Sequence, residues 1–290
     1  MLLSSSNENF IRNLDGKEIV DLFCEAGFDA IDFGFFDSRF YGADPSRCMG
    51  EEYFSELKKY ADQKGIVFNQ AHAPFPSSVD DPERTEEIFF DIVRSMRNAA
   101  CLGAKCIIVH PKQHIYYCEE GAPEKLFEIN MKFYNDLKPY CEKYNIKVAI
   151  ENMWKISGGN KIDHSTCSRP EELIKYLDAL DSEWFVGCLD TGHACLVCED
   201  IPSFIRKLGK DRLKALHVHD VDGINDTHTL PGYGVINWDR VTKALKEIGY
   251  EGDFTFELSR FLARLPRATA PAALKYAEAT GRYLMSKITE

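Results

Sequence analysis

The stretch ALHVHDVD, residues 215–222, sets His217 and His219 two positions apart, with Asp220 directly after them. In a β-strand, side chains alternate between faces, so residues i and i+2 point the same way. Paired imidazoles are groups that ligate a divalent cation or exchange protons near neutral pH. His72, His110, Glu151, Asp190 and Glu257 each close another short apolar run. Taken singly, a histidine at a strand end is ordinarily hydrogen-bonded structure and a glutamate is ordinarily solvated. Six consecutive runs ending in a metal-ligand residue type point instead to one shared site. Carboxylates and imidazoles without thiolates suit manganese, zinc, cobalt or iron; magnesium and calcium sites use mainly oxygen. Cys188, Cys195 and Cys198 lie close in sequence to these positions and read as packing residues.

These side chains need a scaffold that brings them together. Short apolar runs occur at 2–5, 30–35, 66–72, 105–110, 147–152, 185–190, 213–219 and 253–258. Amphipathic stretches alternate with them near 16–26, 51–64, 82–102, 123–144, 170–180, 201–208, 238–248 and 269–286. Asp81-Pro82 opens one helix and Leu102-Gly103 ends it, while Ile248-Gly249 closes another. Eight strand–helix units with no linker between them predict a (β/α)8 TIM barrel, a single domain over residues 1–290. A doubly wound sheet would carry a glycine-rich loop after its first strand, and SSSNENF is not one. Barrels build their sites at the carboxyl-terminal rim, where the polar strand ends would converge.

The 290 residues are 44% hydrophobic and 28% charged, as expected of a globular chain with a sizeable core. No apolar run reaches 18 residues, so no membrane span is expected. MLLSSSNENF lacks a basic segment and a long apolar core, so it does not read as a secretory leader. The ten cysteines, with one C-x-x-C and no second pair, read as reduced thiols of a cytoplasmic protein, mostly small core fillers. A net charge of −11 argues against nucleic acid as a partner. PAALKYAEATGRYLMSKI, near the end of the chain, is apolar over much of its helical surface, which fits either barrel packing or the seam of a homo-oligomer.

AHAPF (71–75), IIVHP (107–111), AIENM (149–153) and CLDTGHA (188–194) resemble motifs of the xylose-isomerase-like barrel superfamily. So do LHVHDVD (216–222), DTHTLPGYGVINW (226–238) and FTFEL (254–258). That grouping holds sugar isomerases, ketose 3-epimerases, inosose-processing enzymes and endonuclease IV. The epimerase resemblance implies one divalent metal held by Glu151, Asp190, His217 and Glu257. By motif position it selects His217 over His219 as ligand; His219 would then point into the same cavity to touch substrate. The endonuclease IV resemblance adds His72, His110, His193, Asp226 and His228, positions that hold a trinuclear zinc cluster there. The chain thus offers ligands for one required metal (Mn, Zn or Co) and up to three. The surplus residues would otherwise hydrogen-bond substrate hydroxyls and orient the carboxylates, and His193 also matches a substrate-contacting histidine of the epimerases.

Departures favour sugar chemistry. Endonuclease IV has an arginine inside its Asp-x-His motif, where this chain has Thr227, and a small glycine-rich turn where this chain has Trp154 and Lys155. Arg39-Phe40-Tyr41 is the nearest approach to a duplex-entering loop and reads as an ordinary rim. The expected activity is metal-dependent isomerisation or epimerisation of a small sugar or sugar phosphate, with charge stabilised as an enediolate and Glu151 and Glu257 as acid and base. His193 and His219 would fix hydroxyls and Trp154 would cover a sugar face. Lys112, Lys155 and Lys161 are candidate phosphate contacts, and HIYYCEEG (114–121) is a candidate lid. The alternatives are an endonuclease IV-like multinuclear zinc phosphodiesterase acting on abasic DNA and a lyase or dehydratase on a polyhydroxylated substrate. A non-catalytic sugar-binding barrel would not need two potential bases.

Overall fold

Parallel pairing of successive strands dominates the computed structural model, which describes residues 1–44, 46–158, 161–263 and 265–289. The chain begins β1 (Leu3–Ser6), α1 (Gly16–Ala26), β2 (Ala30–Gly34), α2 (Glu51–Lys64), β3 (Val67–His72) and α3 (Pro82–Leu102). It continues β4 (Cys106–Ile108), α4 (Ala122–Tyr144), β5 (Lys147–Glu151), β6 (Trp154–Ser157), β7 (Lys161–His164) and α5 (Pro170–Leu180). Then come β8 (Phe185–Asp190), α6 (Thr191–Leu196), α7 (Ile201–Arg212) and β9 (Leu213–His217). The last elements are α8 (Trp238–Glu247), β10 (Phe254–Phe256), α9 (Ser259–Ala263) and α10 (Ala270–Thr289). The sheet runs β10-β1-β2-β3-β4-β5-β8-β9. Val218 N–H donates to Thr255 O (2.8 Å) and Glu257 N–H to Val218 O (3.1 Å), which joins β9 to β10. The result is the expected (β/α)8 barrel, and this seam sets Glu257 beside His217 and His219.

Local chemistry explains the helix ends. Asp15 and Glu18 form a capping box at the start of α1, each side chain accepting the other's backbone N–H. Asp81 caps α3, with Pro82 in its first turn, and Gly103 (φ 83°) ends it in a left-handed conformation. Gly209 (φ 65°, ψ 172°) breaks α7 just after Leu208, where amphipathic periodicity also stops.

Two kinds of interior result. Between helices and sheet lies a continuous apolar shell that includes Phe23, Phe33, Phe54, Leu137, Phe204 and Leu274. Inside the barrel, Cys106, Ile108, Ala149, Val186, Cys188 and Ala215 form a small apolar cluster. Opposite it runs a buried polar chain. Ser4 Oγ donates to Asn69 Oδ1 (2.8 Å), Asn69 Nδ2 to Thr255 Oγ1 (3.2 Å), Thr255 Oγ1 to Gln70 Oε1 (3.3 Å) and Gln70 Nε2 to Asp32 Oδ2 (3.1 Å). Such groups are tolerated inside because each finds a partner. All ten cysteines are free; Cys106, Cys141, Cys167 and Cys188 are buried in the core and Cys101 and Cys195 pack against it, while Cys118 and Cys198 are exposed. Among the described residues no helix is long and apolar enough to cross a membrane.

Three features depart from the expected elements. β6 and β7 form an antiparallel hairpin, so Trp154 and Lys155 project from a strand rather than a loop. α6 starts at the residue after β8. β4 ends at Ile108 and β9 at His217, so His110 and His219 lie two residues beyond their ladders.

The long connection after β9 is organised by Asp220. Its Oδ1 accepts Val221 N–H and Ile236 N–H (both 3.0 Å), and its Oδ2 accepts Gly232 N–H and Trp238 Nε1–H (both 2.9 Å). Gly234 passes so close that a Cβ there would lie 2.2 Å from Val221 O. The loop carrying Asp226 and His228 is thereby tied to the strand end carrying His217. Replacing Asp220 by Asn turns one acceptor oxygen into an NH2 facing two N–H donors. Asp220→Asn is expected to lower unfolding free energy by about 2 kcal/mol, read from urea denaturation midpoints; an unchanged midpoint would contradict the anchoring role.

Candidate metal centre at the carboxyl-terminal rim

Glu151, the last residue of β5, is 1% exposed and lies among four imidazoles. Its Oε1 is 2.8 Å from His217 Nδ1 and 3.7 Å from His193 Nδ1. Its Oε2 is 2.8 Å from His110 Nε2 and 3.8 Å from His72 Nε2. Burial alone would push this carboxyl up, but the charges of His217 and His110 offset it and hold Glu151 well below the usual carboxylate range.

Asp190 ends β8 and caps α6, its Oδ1 accepting His193 N–H at 2.6 Å. Both of its oxygens reach His219 Nε2, at 3.0 and 2.9 Å. Asn152 rivets β5 to β8 by accepting Asp190 N–H (2.7 Å) and donating to Asp190 O (3.0 Å). Glu257 follows β10, with Oε2 3.5 Å from both His217 Nδ1 and His228 Nδ1. Ligand atoms of Glu151, Asp190, His217 and Glu257 all lie within 4.8 Å of one another. Four more sets meet the same span: His72, His110 and Glu151; His72, His217 and Glu257; Glu151, Cys188 and His217; and His193, His219, Asp226 and His228.

Several features fit these residues to cations. His72 Nδ1–H donates to Ala73 O (2.7 Å) and His193 Nδ1–H to Asn152 O (2.9 Å), which leaves each Nε2 lone pair aimed inward. His72 Nε2 and His110 Nε2 then face each other at 3.1 Å. Glu151 Oε2, Asp226 Oδ1 and His228 Nδ1 are buried without an aligned hydrogen-bond partner, which buried polar atoms rarely tolerate. Burial opposes charge on His228, yet Glu257 and Asp226 raise its pKa to about 9. Burial likewise opposes charge on His193 and His217, whose facing carboxylates, Asp190 and Glu257 foremost, hold both well above the ordinary imidazole range. Burial pushes the Cys188 thiol well up, so it stays neutral and packs.

A cavity of about 390 Å³ opens over this cluster. His72, His110, Glu151, His193, Asp226, His228 and Glu257 line it, with Trp154 and Lys155 of β6 also on its wall. Asp190 and His217 lie beneath, fully buried. His219, expected to face substrate, does not reach the cavity. Its ring stacks on His228 (centroids 4.0 Å apart, planes at 5°), and Thr191 Oγ1 clamps its backbone. Gly192 leaves it room, since a Cβ there would lie 2.0 Å from His219 Cε1. His219 Nε2 instead faces both oxygens of Asp190.

Of the three lysines, Lys155 alone lines the cavity, its Nζ donating to Gln113 O (2.6 Å). Lys112 lies over the Phe133 ring, and Lys161 pairs with Asp163. Residues 114–121 are fastened by Tyr116 to Asp163 (3.3 Å) and by Tyr117 to Glu172 (2.9 Å). Arg39 pairs with Asp37, and Phe40 is in the core, so that loop presents no wedge. Phe75, 56% exposed and stacked over His110, joins the cavity wall without having been singled out from sequence, and His114, the first residue of the 114–121 segment, lines it as well. Asp32 was also missed; a lone carboxylate in the apolar run AIDFG was the available signal.

The family model described as "Xylose isomerase-like TIM barrel" matches residues 20–279. D-psicose 3-epimerase of Enterocloster bolteae is 24% identical over 251 residues, 84% of this chain and 76% of that protein. A probable endonuclease 4 of Bacillus subtilis is 27% identical over 200 residues, 63% of each chain. The chain also matches uncharacterised proteins of Methanocaldococcus jannaschii and Sinorhizobium fredii over 49 to 68% of their own length. Among solved structures, the IolI protein with a bound zinc atom superposes with a TM-score of 0.80 at 19% identity, covering 99% of both chains.

The raised His228 pKa gives cation binding a pH sense. A cation must displace the imidazolium proton, so affinity is expected to rise about tenfold per pH unit for each proton displaced, until pH passes about 9. In chelator-treated protein, the stability that His228 contributes is fully present below pH 6.5, its ordinary value, and lost as pH rises through about 9. Competition titrations with a chromophoric chelator between pH 6 and 8 check the first expectation, and a flat profile would contradict it.

Proposed function

The chain belongs to the xylose isomerase-like TIM barrel family, and from that premise we propose that it is a divalent-metal-dependent isomerase or epimerase of a small polyhydroxylated carbonyl compound, such as a free or phosphorylated sugar. The observation that carries the reading is the placement of Glu151 and Glu257, two carboxylates on the cavity wall that share one candidate cation set with Asp190 and His217. They come from β5 and β10, three strands apart around the barrel, and so approach a bound substrate from different sides. A cation held by these four residues supplies Lewis-acid polarisation of a carbonyl and its neighbouring hydroxyl, acidifying the carbon-bound proton between them.

Glu257 is the better placed base. No basic atom among the described residues lies closer than 3.5 Å to its carboxylate, whereas Glu151 is held at 2.8 Å by both His217 and His110. Glu257 takes the carbon-bound proton and returns it to the neighbouring carbon, giving the isomer; the epimer requires a proton delivered from the Glu151 side, relayed from water to that carboxylate by the His110 imidazole 2.8 Å away, while Glu257 releases its own proton to water. His193, whose Nδ1–H is committed to Asn152 O, presents Nε2 to a substrate hydroxyl. Phe75 and Trp154 offer aromatic faces to the apolar C–H surface of a sugar, and the cavity volume suits one small molecule.

A second reading is favoured by candidate ligand sets beyond those four residues, His72 with His110 and Glu151, and His193 with His219, Asp226 and His228. Such an arrangement would hold up to three metals and activate hydroxide against a phosphodiester, as in abasic-site cleavage. Against it, the cavity lining includes one lysine and no arginine, little to meet a phosphate backbone.

In heavy water with saturating manganese or zinc, the protein is expected to incorporate deuterium into one or more members of a ketose panel. Glu257→Gln should lose this exchange by about 10²–10⁴-fold while substrate binding changes little. Full exchange in that variant would remove Glu257 from the chemistry. Incision of abasic duplex at three bound metals, without exchange into any ketose, would favour the second reading.

A further inference from the structure

Three inward-facing histidines differ in what holds them from behind. In His72 and His193, the ring nitrogen turned away from the cluster donates to a backbone carbonyl. His217 has no such support among the described residues. Its Nδ1 faces Glu151 and Glu257, while its buried Nε2 lies 3.3 Å from Asp32 Oδ2, with the ring N–H angled off the carboxylate. Asp32 is itself 1% exposed, and its Oδ1 has no partner. Gln70 Nε2 steadies its Oδ2 (3.1 Å), and Gln70 is held in turn by Thr255 (3.3 Å). A buried donor and a buried carboxylate thus face one another, both under-satisfied, directly beneath the candidate metal centre.

We infer that Asp32 is a positioning residue for that centre: it accepts the Nε2 proton of His217 and so presents the Nδ1 lone pair to the cation. This rests on the metal reading proposed above. A negative charge behind an imidazole raises the basicity of its opposite nitrogen and fixes the ring's orientation, and loss of such a partner commonly weakens metal binding 10–100-fold. His228 also has a carboxylate at each ring nitrogen, Asp226 on Nε2 (2.8 Å) and Glu257 on Nδ1 (3.5 Å), but both of those line the cavity as candidate ligands, whereas Asp32 lies beneath the cluster and faces His217. The alternative is that Asp32 merely completes the polar chain from Ser4 to Gln70.

The test is the dissociation constant for zinc, by chelator competition, in the full chain and its Asp32→Asn, Asp32→Leu, His217→Ala and Asp32→Leu/His217→Ala variants. Thermal midpoints in excess chelator are recorded alongside. Asp32→Asn should weaken zinc about tenfold and Asp32→Leu up to about 100-fold. In the His217→Ala background, Asp32→Leu should change affinity by less than about twofold, because the pathway through His217 is already gone. Asp32→Asn keeps the side-chain volume and carries the test if Asp32→Leu does not fold. Zinc affinity within twofold of the parent in Asp32→Asn, or an undiminished loss on adding Asp32→Leu to His217→Ala, would overturn the inference. Failure of the unsubstituted protein to bind any divalent cation would overturn the metal reading and this inference with it.

Discussion

The fold's carboxyl-terminal end depends on a carboxylate that has no water. Glu151 is all but removed from solvent, and an ionised group left there unpaired would cost far more than a domain's net stability. What makes its burial tolerable is the crowd of imidazoles drawn from β3, β4, α6, β9 and the segments beside them. Each imidazole is itself buried and needs a carboxylate, so Asp190, Asp226, Glu257 and Asp32 follow by the same logic. None of these groups is stable at this depth alone; together carboxylates and imidazoles contact one another, and atoms left without an aligned partner, such as Glu151 Oε2, Asp226 Oδ1 and His228 Nδ1, lie among them.

That mutual dependence explains features of the scaffold that look incidental. The Asn152–Asp190 rivet ties β5 to β8 at the level of the cluster, and the β9–β10 seam brings Glu257 into reach of His217. Asp220 then anchors the loop that returns Asp226 and His228 over the top. A cluster rigidified in this way holds its ligands pre-oriented, which is what a cation and a developing negative charge on substrate oxygens both require.

Much of this architecture was legible in the amino-acid order, for identifiable reasons. Parallel strands buried on both faces leave continuous apolar runs, and Asp81-Pro82, Gly103 and Gly209 punctuate helices with strong local preferences. His72, His110, Glu151, Asp190, His217 and Glu257 were visible because each stood at the end of such a run, whereas His193, Asp226 and His228 came into view only through motif resemblance. The β6–β7 hairpin escaped because its strands are four residues long and half-exposed, leaving little periodicity to read. His219 was placed in the cavity by strand alternation, but the ladder ends at His217 and Thr191 turns the next residues aside. Asp32 escaped because its importance comes from a partner 185 positions away, a pairing that no local pattern encodes.

The central claim is that these converging side chains grip a cation. The direct measurement is anomalous diffraction at the zinc or manganese absorption edge from crystals grown with the metal. The account predicts a peak within coordination distance of Glu151, Asp190, His217 and Glu257, with His219 outside the coordination sphere. A density map with no peak between those four residues, or an ion there ligated by His219 in place of His217, would contradict it.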